Sequence, residues 1–173
     1  MILSLALLAA VPDAFPAPKT PTGVLRISCR QGECGWQQIK SIERVRGGNG
    51  EVLRKLTSRS GNSVHGAFGD PPRRYTPRLR VKWDTAPRVE YVLCSKRRPT
   101  VIFPSDGEFV VHRLGLTNLG GYEYASATLY MQVCHNVAPD RWSEKQAARM
   151  GYSRQAGRQD EYKTLAAALA TLR

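Results

Sequence analysis

Four cysteines constrain this chain more than any other feature: Cys29, Cys34, Cys94 and Cys134. An even number of thiols in a chain that folds outside the reducing cytoplasm reads as disulfides, and four thiols allow three pairings. Joining Cys29 to Cys34 closes a small loop, Arg30-Gln31-Gly32-Glu33, in which Gly32 permits a tight turn. Joining Cys94 to Cys134 ties an expected strand to the end of an expected helix. In the chain-entropy model the long loop contributes about 4 kcal/mol and the short one about 2 to 3 kcal/mol. The rival is a zinc site of four thiolates. Such sites are built from paired knuckles of closely spaced cysteines, and Cys94 and Cys134 form none. The expected pairs are therefore Cys29 with Cys34 and Cys94 with Cys134.

The oxidising compartment is inferred from the first residues. Residues 2–11 form an uncharged apolar run. It is too short to span a bilayer as a helix, which needs about 20 residues, but it has the length of a signal-peptide core and is followed by small residues. Ala10, Ala14 and Ala17 are the candidate cleavage positions. No Lys or Arg precedes the run, so either the signal is atypical or translation starts upstream of Met1. A buried N-terminal helix or strand of a cytosolic protein is the competing account. The segment Pro12 to Pro21 holds four prolines, cannot continue a helix, and reads as a linker. The expectation is a signal peptide and Pro-rich linker over 1–20 and one domain over 21–173, periplasmic or secreted. No lipid-attachment cysteine and no further membrane span is expected.

Residues 23–30 have a short strand pattern. Residues 36–45 fit neither period cleanly, but the turn cluster Gly47-Gly48-Asn49-Gly50 followed by Val52, Leu53 and Leu56 favours a hairpin over a helix at 36–46. Residues 58–77, rich in Ser, Gly, Pro and Arg, read as a long loop. Arg78 to Trp83 alternates Leu79, Val81 and Trp83 with Arg78, Arg80 and Lys82, the pattern of a half-buried strand with a basic face. It is expected to form a second hairpin with 88–95. Strands at 100–103 and 108–114 flank a turn at Pro104-Ser105-Asp106-Gly107. Helical spacing then covers 122–135. Ser143-Glu144-Lys145-Gln146 is a capping box opening a short helix that Gly151 ends. Asp160 to Leu172, with Tyr162, Leu165, Leu169 and Leu172 on one stripe, reads as a last helix. Strands first and helices last predict an α+β fold: an antiparallel sheet of hairpins with two or three C-terminal helices, stapled by disulfides.

Charge bounds the function classes. There are 26 basic and 14 acidic residues, for a net charge of +12, and Arg far outnumbers Lys. Such a surface attracts anionic partners. The densest basic feature is Arg73, Arg74, Arg78, Arg80 and Lys82, with Arg97 and Arg98 expected to extend it; a solvated strand face is the bland account of the same residues. Catalytic signals are sparse. His135, at a helix end beside Asn136, is the candidate acid–base group, against a structural role satisfying helix carbonyls. Ser126 with His135 and Asp106 or Asp140 would make a serine hydrolase, but the nucleophile-elbow glycines are missing. Glu108 and Glu123 could serve as a glycosidase pair only as any two carboxylates could. His112 is expected to lie opposite Phe109 and Val111, toward solvent, and His65 in a loop with Ser63 and Arg59 nearby. No metal or cofactor motif is present, and none is expected. The expected role is a non-enzymatic binding protein engaging an acidic protein or envelope polymer. A small envelope hydrolase using His135 is one alternative; binding of an anionic ligand is another, with nucleic acid disfavoured outside the cytoplasm.

Overall fold

The alternation through the middle of the chain lets one sheet bury both of its faces. In the computed structural model, which describes residues 15–21, 23–66, 71–139 and 141–173, the strands are β1 (Leu25–Arg30), β2 (Glu33–Gly48), β3 (Glu51–Val64), β4 (Lys82–Trp83), β5 (Arg88–Cys94), β6 (Thr100–Ser105), β7 (Glu108–Arg113) and β8 (Arg158–Tyr162). The helices are α1 (Tyr124–His135), α2 (Glu144–Arg149) and α3 (Leu165–Ala170). The expected signal segment 2–11, the cleavage positions Ala10 and Ala14, and Asp140 lie outside the described residues. All pairings are antiparallel, in the order β1-β2-β3-β5-β6-β7-β8, with β4 also paired to β3.

Side chains on successive strand residues point to opposite faces. Val52, Leu56, Val92 and Val101 therefore pack with Leu129, Tyr130 and Val133 of α1. Their chain neighbours Leu53, Leu93 and Ile102 point the other way and, with Val111 of β7, pack with Ala168, Leu169 and Leu172. The result is an α+β arrangement with α1 on one face of the sheet and α3 on the other. Both expected disulfides form: Cys29–Cys34 across the β1–β2 turn, and Cys94–Cys134 between the end of β5 and the last turn of α1. No helix among the described residues is long and apolar enough to cross a membrane.

The hairpin at Gly47–Gly50 forms, so residues 36–46 are strand. Four expectations are corrected. Residues 58–64 are not loop: β3 runs on to Val64, because Ser58, Gly61 and Ser63 are small enough to sit buried beneath their neighbours while pairing with β2. Of Arg78 to Trp83, only Lys82–Trp83 is strand. It pairs with Asn62 and Gly61 rather than forming a hairpin with β5. A Cβ on Gly61 would come within 2.8 Å of Trp83 and of the Lys82 carbonyl, so that pairing depends on glycine. Residues 160–162 are strand, not helix; β8 adds to β7 with Tyr162 opposite Phe109, and the helix begins at Leu165 behind an N-cap at Thr164. Strands therefore do not all precede helices.

Candidate functional site

α1 crosses the sheet, and the polar residues beneath it divide into two groups, one at each end. At its C-terminal end stands Arg54, 2 % exposed, which donates to the carbonyls of Val133 and Pro16. The role foreseen for His135, a cation satisfying helix carbonyls, thus falls to Arg54. His135 instead hydrogen-bonds the Tyr152 hydroxyl at 2.6 Å and packs against Phe15 and Tyr130. Burial lowers its pKa to about 4, and the charges of Lys96 and Arg54 push the same way. The Tyr152 hydroxyl also meets that of Tyr130, and burial raises both phenols. Among the described residues neither serine nor carboxylate is hydrogen-bonded to His135, and Ser126 lies against His112 instead.

At the N-terminal end the strand phase that puts Val111 toward α3 puts His112 toward α1. His112 is fully buried, correcting the expectation that it meets solvent. Its side is the expected one, but α1 covers that side. His112 Nδ1 lies 3.0 Å from Ser126 Oγ, and Nε2 lies 3.6 Å from Glu123 Oε1. The ring stacks on Tyr122 at 5.8 Å between centroids. Glu123 is 2 % exposed and accepts the amides of Gly115 at 3.1 Å and Gly120 at 2.6 Å. A Cβ on Gly157 would stand 1.7 Å from Glu123 Oε1, so glycine there makes room for the carboxylate. Burial lowers the pKa of His112, and Glu123 opposes the shift. Ser126, half-buried, opens into a pocket of about 280 Å³ whose walls include Ile27, Phe103, Ala125 and Leu129. Glu90 also lines it, and accepts Gln37 Nε2 at 2.7 Å and Arg88 Nε at 3.0 Å. Burial raises Glu90 above the usual carboxylate range despite Arg88 and Gln37.

Beside this pocket, sharing Ile27, Ser28, Gly35, Asn62, Tyr122 and Ala125 with it, lies a larger open groove of about 1750 Å³. One wall is β1, an edge strand of the sheet. Among the described lining residues are five arginines, Arg26, Arg30, Arg73, Arg74 and Arg141, against one carboxylate, Glu33, together with Tyr75, Tyr122 and Tyr124. Arg26 donates to the Pro72 carbonyl at 3.2 Å and Arg30 to that of Gly121 at 2.6 Å, which aligns them along the wall.

The basic residues singled out from the sequence do not share one surface. Arg73 and Arg74 line the groove; Arg78, Arg80 and Lys82 are exposed outside it. Arg97 and Arg98 follow β5, whose Cys94 pairs with Val52, whereas Lys82 pairs with Asn62. The intervening ten residues of β3 span about 33 Å. Arg98 is also committed to an ion pair with Glu51 at 2.8 Å and to the Leu172 carbonyl. Glu108 is ion-paired to Lys163 at the far end of β7, about 13 Å of strand from His112, and is not brought to Glu123. Asp106 sits in the β6–β7 turn. His65 Nε2 meets Ser63 Oγ at 2.7 Å, and Trp36 Nε1 donates to the same hydroxyl. Among the described residues no cluster of His, Cys, Asp and Glu could hold a metal. The Ser126–His112–Glu123 grouping was missed because it depends on where α1 crosses β7; the alternation at 109–113 was the one signal pointing to it.

No protein-family model matches the chain, and no curated protein or solved structure matches it either.

Proposed function

We propose that this is an exported binding protein whose groove takes an extended acidic segment of another protein. One observation carries the reading: an edge strand, β1, opens into a groove lined by five arginines and a single carboxylate among the described residues. An edge strand presents unpaired amides and carbonyls to which an extended chain can add. Arginines beside it supply the charge complementarity that selects an acidic sequence and speeds encounter. Two disulfides fit folding in an oxidising compartment, periplasmic or extracellular.

Titration with a labelled synthetic peptide of alternating Glu and Val, and in parallel with an anionic polysaccharide, tests this. The peptide is expected to bind, with affinity falling as salt rises from about 0.05 to 0.3 M. Reversing Arg73 and Arg74 to Glu is expected to weaken it about tenfold, whereas reversing Arg78 and Arg80 leaves it within about twofold. Binding of the polysaccharide alone replaces the acidic protein by a polymer as partner. Binding that ignores salt, or that is lost equally in both variants, overturns the groove assignment.

A further inference from the structure

Ser126, His112 and Glu123 form a hydroxyl–imidazole–carboxylate series that a binding groove does not require. We propose that Ser126 is a nucleophile, that His112 is its general base, and that the protein cleaves short-chain carboxylic esters at the 280 Å³ pocket. This proposal stands apart from the groove reading and neither needs nor excludes it.

Three features carry it. The first is connectivity: Ser126 Oγ to Nδ1 at 3.0 Å, and Nε2 facing a carboxylate oxygen at 3.6 Å. Nε2 lies beyond hydrogen-bond distance of the carboxylate and is buried without a hydrogen-bond partner among the described residues, but a negative charge 3.6 Å away favours the tautomer protonated there, which leaves Nδ1 free to accept the serine proton. The second is that this carboxylate is itself held. Two backbone amides fix Glu123, and the space it occupies exists because residue 157 has no side chain. Glu123 and Gly157 are therefore positioning residues. The third is access: the imidazole is fully buried while Ser126 opens into a pocket walled by Ile27, Phe103, Ala125 and Leu129, apolar enough for a short acyl group. The lowered pKa of His112 leaves the ring neutral, hence able to act as a base, at neutral pH.

The reaction balances as an acyl transfer. Ser126 Oγ adds to the ester carbonyl carbon as its proton passes to His112 Nδ1, and the carbonyl oxygen becomes an oxyanion. Amides in the first turn of α1, which a helix leaves without intrahelical partners, are the available donors to it. The carbonyl reforms, the C–O bond to the alcohol breaks, and His112 returns the proton to the departing alkoxide. Water then adds to the acyl carbon as its proton passes to His112 Nδ1; the carbonyl reforms, the bond to Ser126 Oγ breaks, His112 returns the proton to that oxygen, and the carboxylic acid leaves.

Labelling with a fluorophosphonate, followed by peptide mass mapping, together with hydrolysis of p-nitrophenyl acetate, decides the matter. A single adduct on Ser126 is expected, with hydrolysis abolished in Ser126→Ala and reduced at least about a hundredfold in His112→Asn. Because His112 is buried and its variant can fail to fold, the pH profile of wild-type labelling serves as the second measurement. It should rise through one inflection below pH 6.5 and stay flat to pH 8. Absence of an adduct, an adduct on another residue, undiminished labelling in folded His112→Asn, or a rate that simply tracks hydroxide concentration would overturn the proposal.

Discussion

Arg54 and His135 show how one buried cation decides the state of its neighbours. Arg54 holds the carbonyl of Val133 near the end of α1, so the negative end of that helix is already matched. A second positive charge on His135 would be desolvated and repelled by Lys96 and Arg54, which together with burial lower its pKa to about 4 from the ordinary 6.5. The unfolded chain therefore takes up a proton that the folded one refuses as the pH falls from 6.5 to 4. Stability present above pH 6.5 is lost across that window, with no further loss below it. The half-buried ring keeps some solvent, so its share is about 1 to 2 kcal/mol rather than the whole shift. His112 titrates with the same sign, its pKa lowered chiefly by burial, while Glu90, raised by burial, opposes both. Urea unfolding at pH 7 and pH 4.5 checks this: His135→Gln, which can still meet the Tyr152 hydroxyl, is expected to show a smaller acid-induced loss than wild type by about 1 to 2 kcal/mol. An equal loss in both proteins would place the acid sensitivity elsewhere. At the other end of α1, Gly157→Ala forces the Glu123 carboxylate away from its two amides. A cost of about 2 to 3 kcal/mol is expected, with the slope of the fluorophosphonate pH profile altered as well, which loss of packing alone would not do.

At the scale of elements, the segments legible in the sequence are those whose own side chains make the core. β5, β6, β7 and α1 lie where alternation or helical spacing puts them, because Val92, Val101, Val111 and Leu129 each bury their own surface. β8 falls in the expected helix only at residues 160–162, because Tyr162 shares a helical stripe with Leu165, Leu169 and Leu172 and Arg158-Gln159-Asp160-Glu161 carries no apolar alternation to mark a strand. Its strand state comes from β7, whose free edge supplies backbone partners, and from Asp160 meeting Arg113 and Arg158. The stripe of Tyr162, Leu165, Leu169 and Leu172 does pack into the second core, so burial was readable where backbone state was not. β3 was cut short at its polar end for the same reason: Ser58 and Ser63 are buried by hydrogen bonds to Gln37 and Trp36, which lie about 20 or more residues away in sequence. The misread helix start has a direct check. Thr164 Oγ accepts the amide of Ala167 at 3.2 Å, so Thr164→Ala is expected to cost about 1 kcal/mol. Asp160→Ala, which breaks half-exposed ion pairs, is expected to cost less than about 1 kcal/mol and to leave helix content by circular dichroism unchanged. A larger helical loss from Asp160→Ala would place the helix start at Asp160.

At the scale of the whole molecule, the disulfides and the candidate site are two ends of one arrangement. Cys134 pins the last turn of α1 to the end of β5, and Ser126 meets His112 of β7 near its start. The helix is thereby fixed across β5, β6 and β7, which places a hydroxyl from one element beside an imidazole from another. The cysteine pairing could be argued from loop size and context, because a covalent link needs only proximity. The Ser126–His112 contact could not, since it depends on the angle at which α1 lies on the sheet. The Cys29–Cys34 bond closes a turn between neighbouring strands already in register at Cys29 and Cys34. Loop closure therefore ranks the two bonds: about 4 kcal/mol for Cys94–Cys134 and about 2 to 3 kcal/mol for Cys29–Cys34. Double alanine variants compared by equilibrium urea unfolding should reproduce that order, and only the Cys94→Ala, Cys134→Ala pair should slow fluorophosphonate labelling under conditions where both variants remain folded. Equal losses would mean that the short loop is as unconstrained in the unfolded chain as the long one. Unchanged labelling in the Cys94→Ala, Cys134→Ala protein would mean that packing alone, through Leu129, Tyr130 and Val133 against the sheet, sets the position of α1.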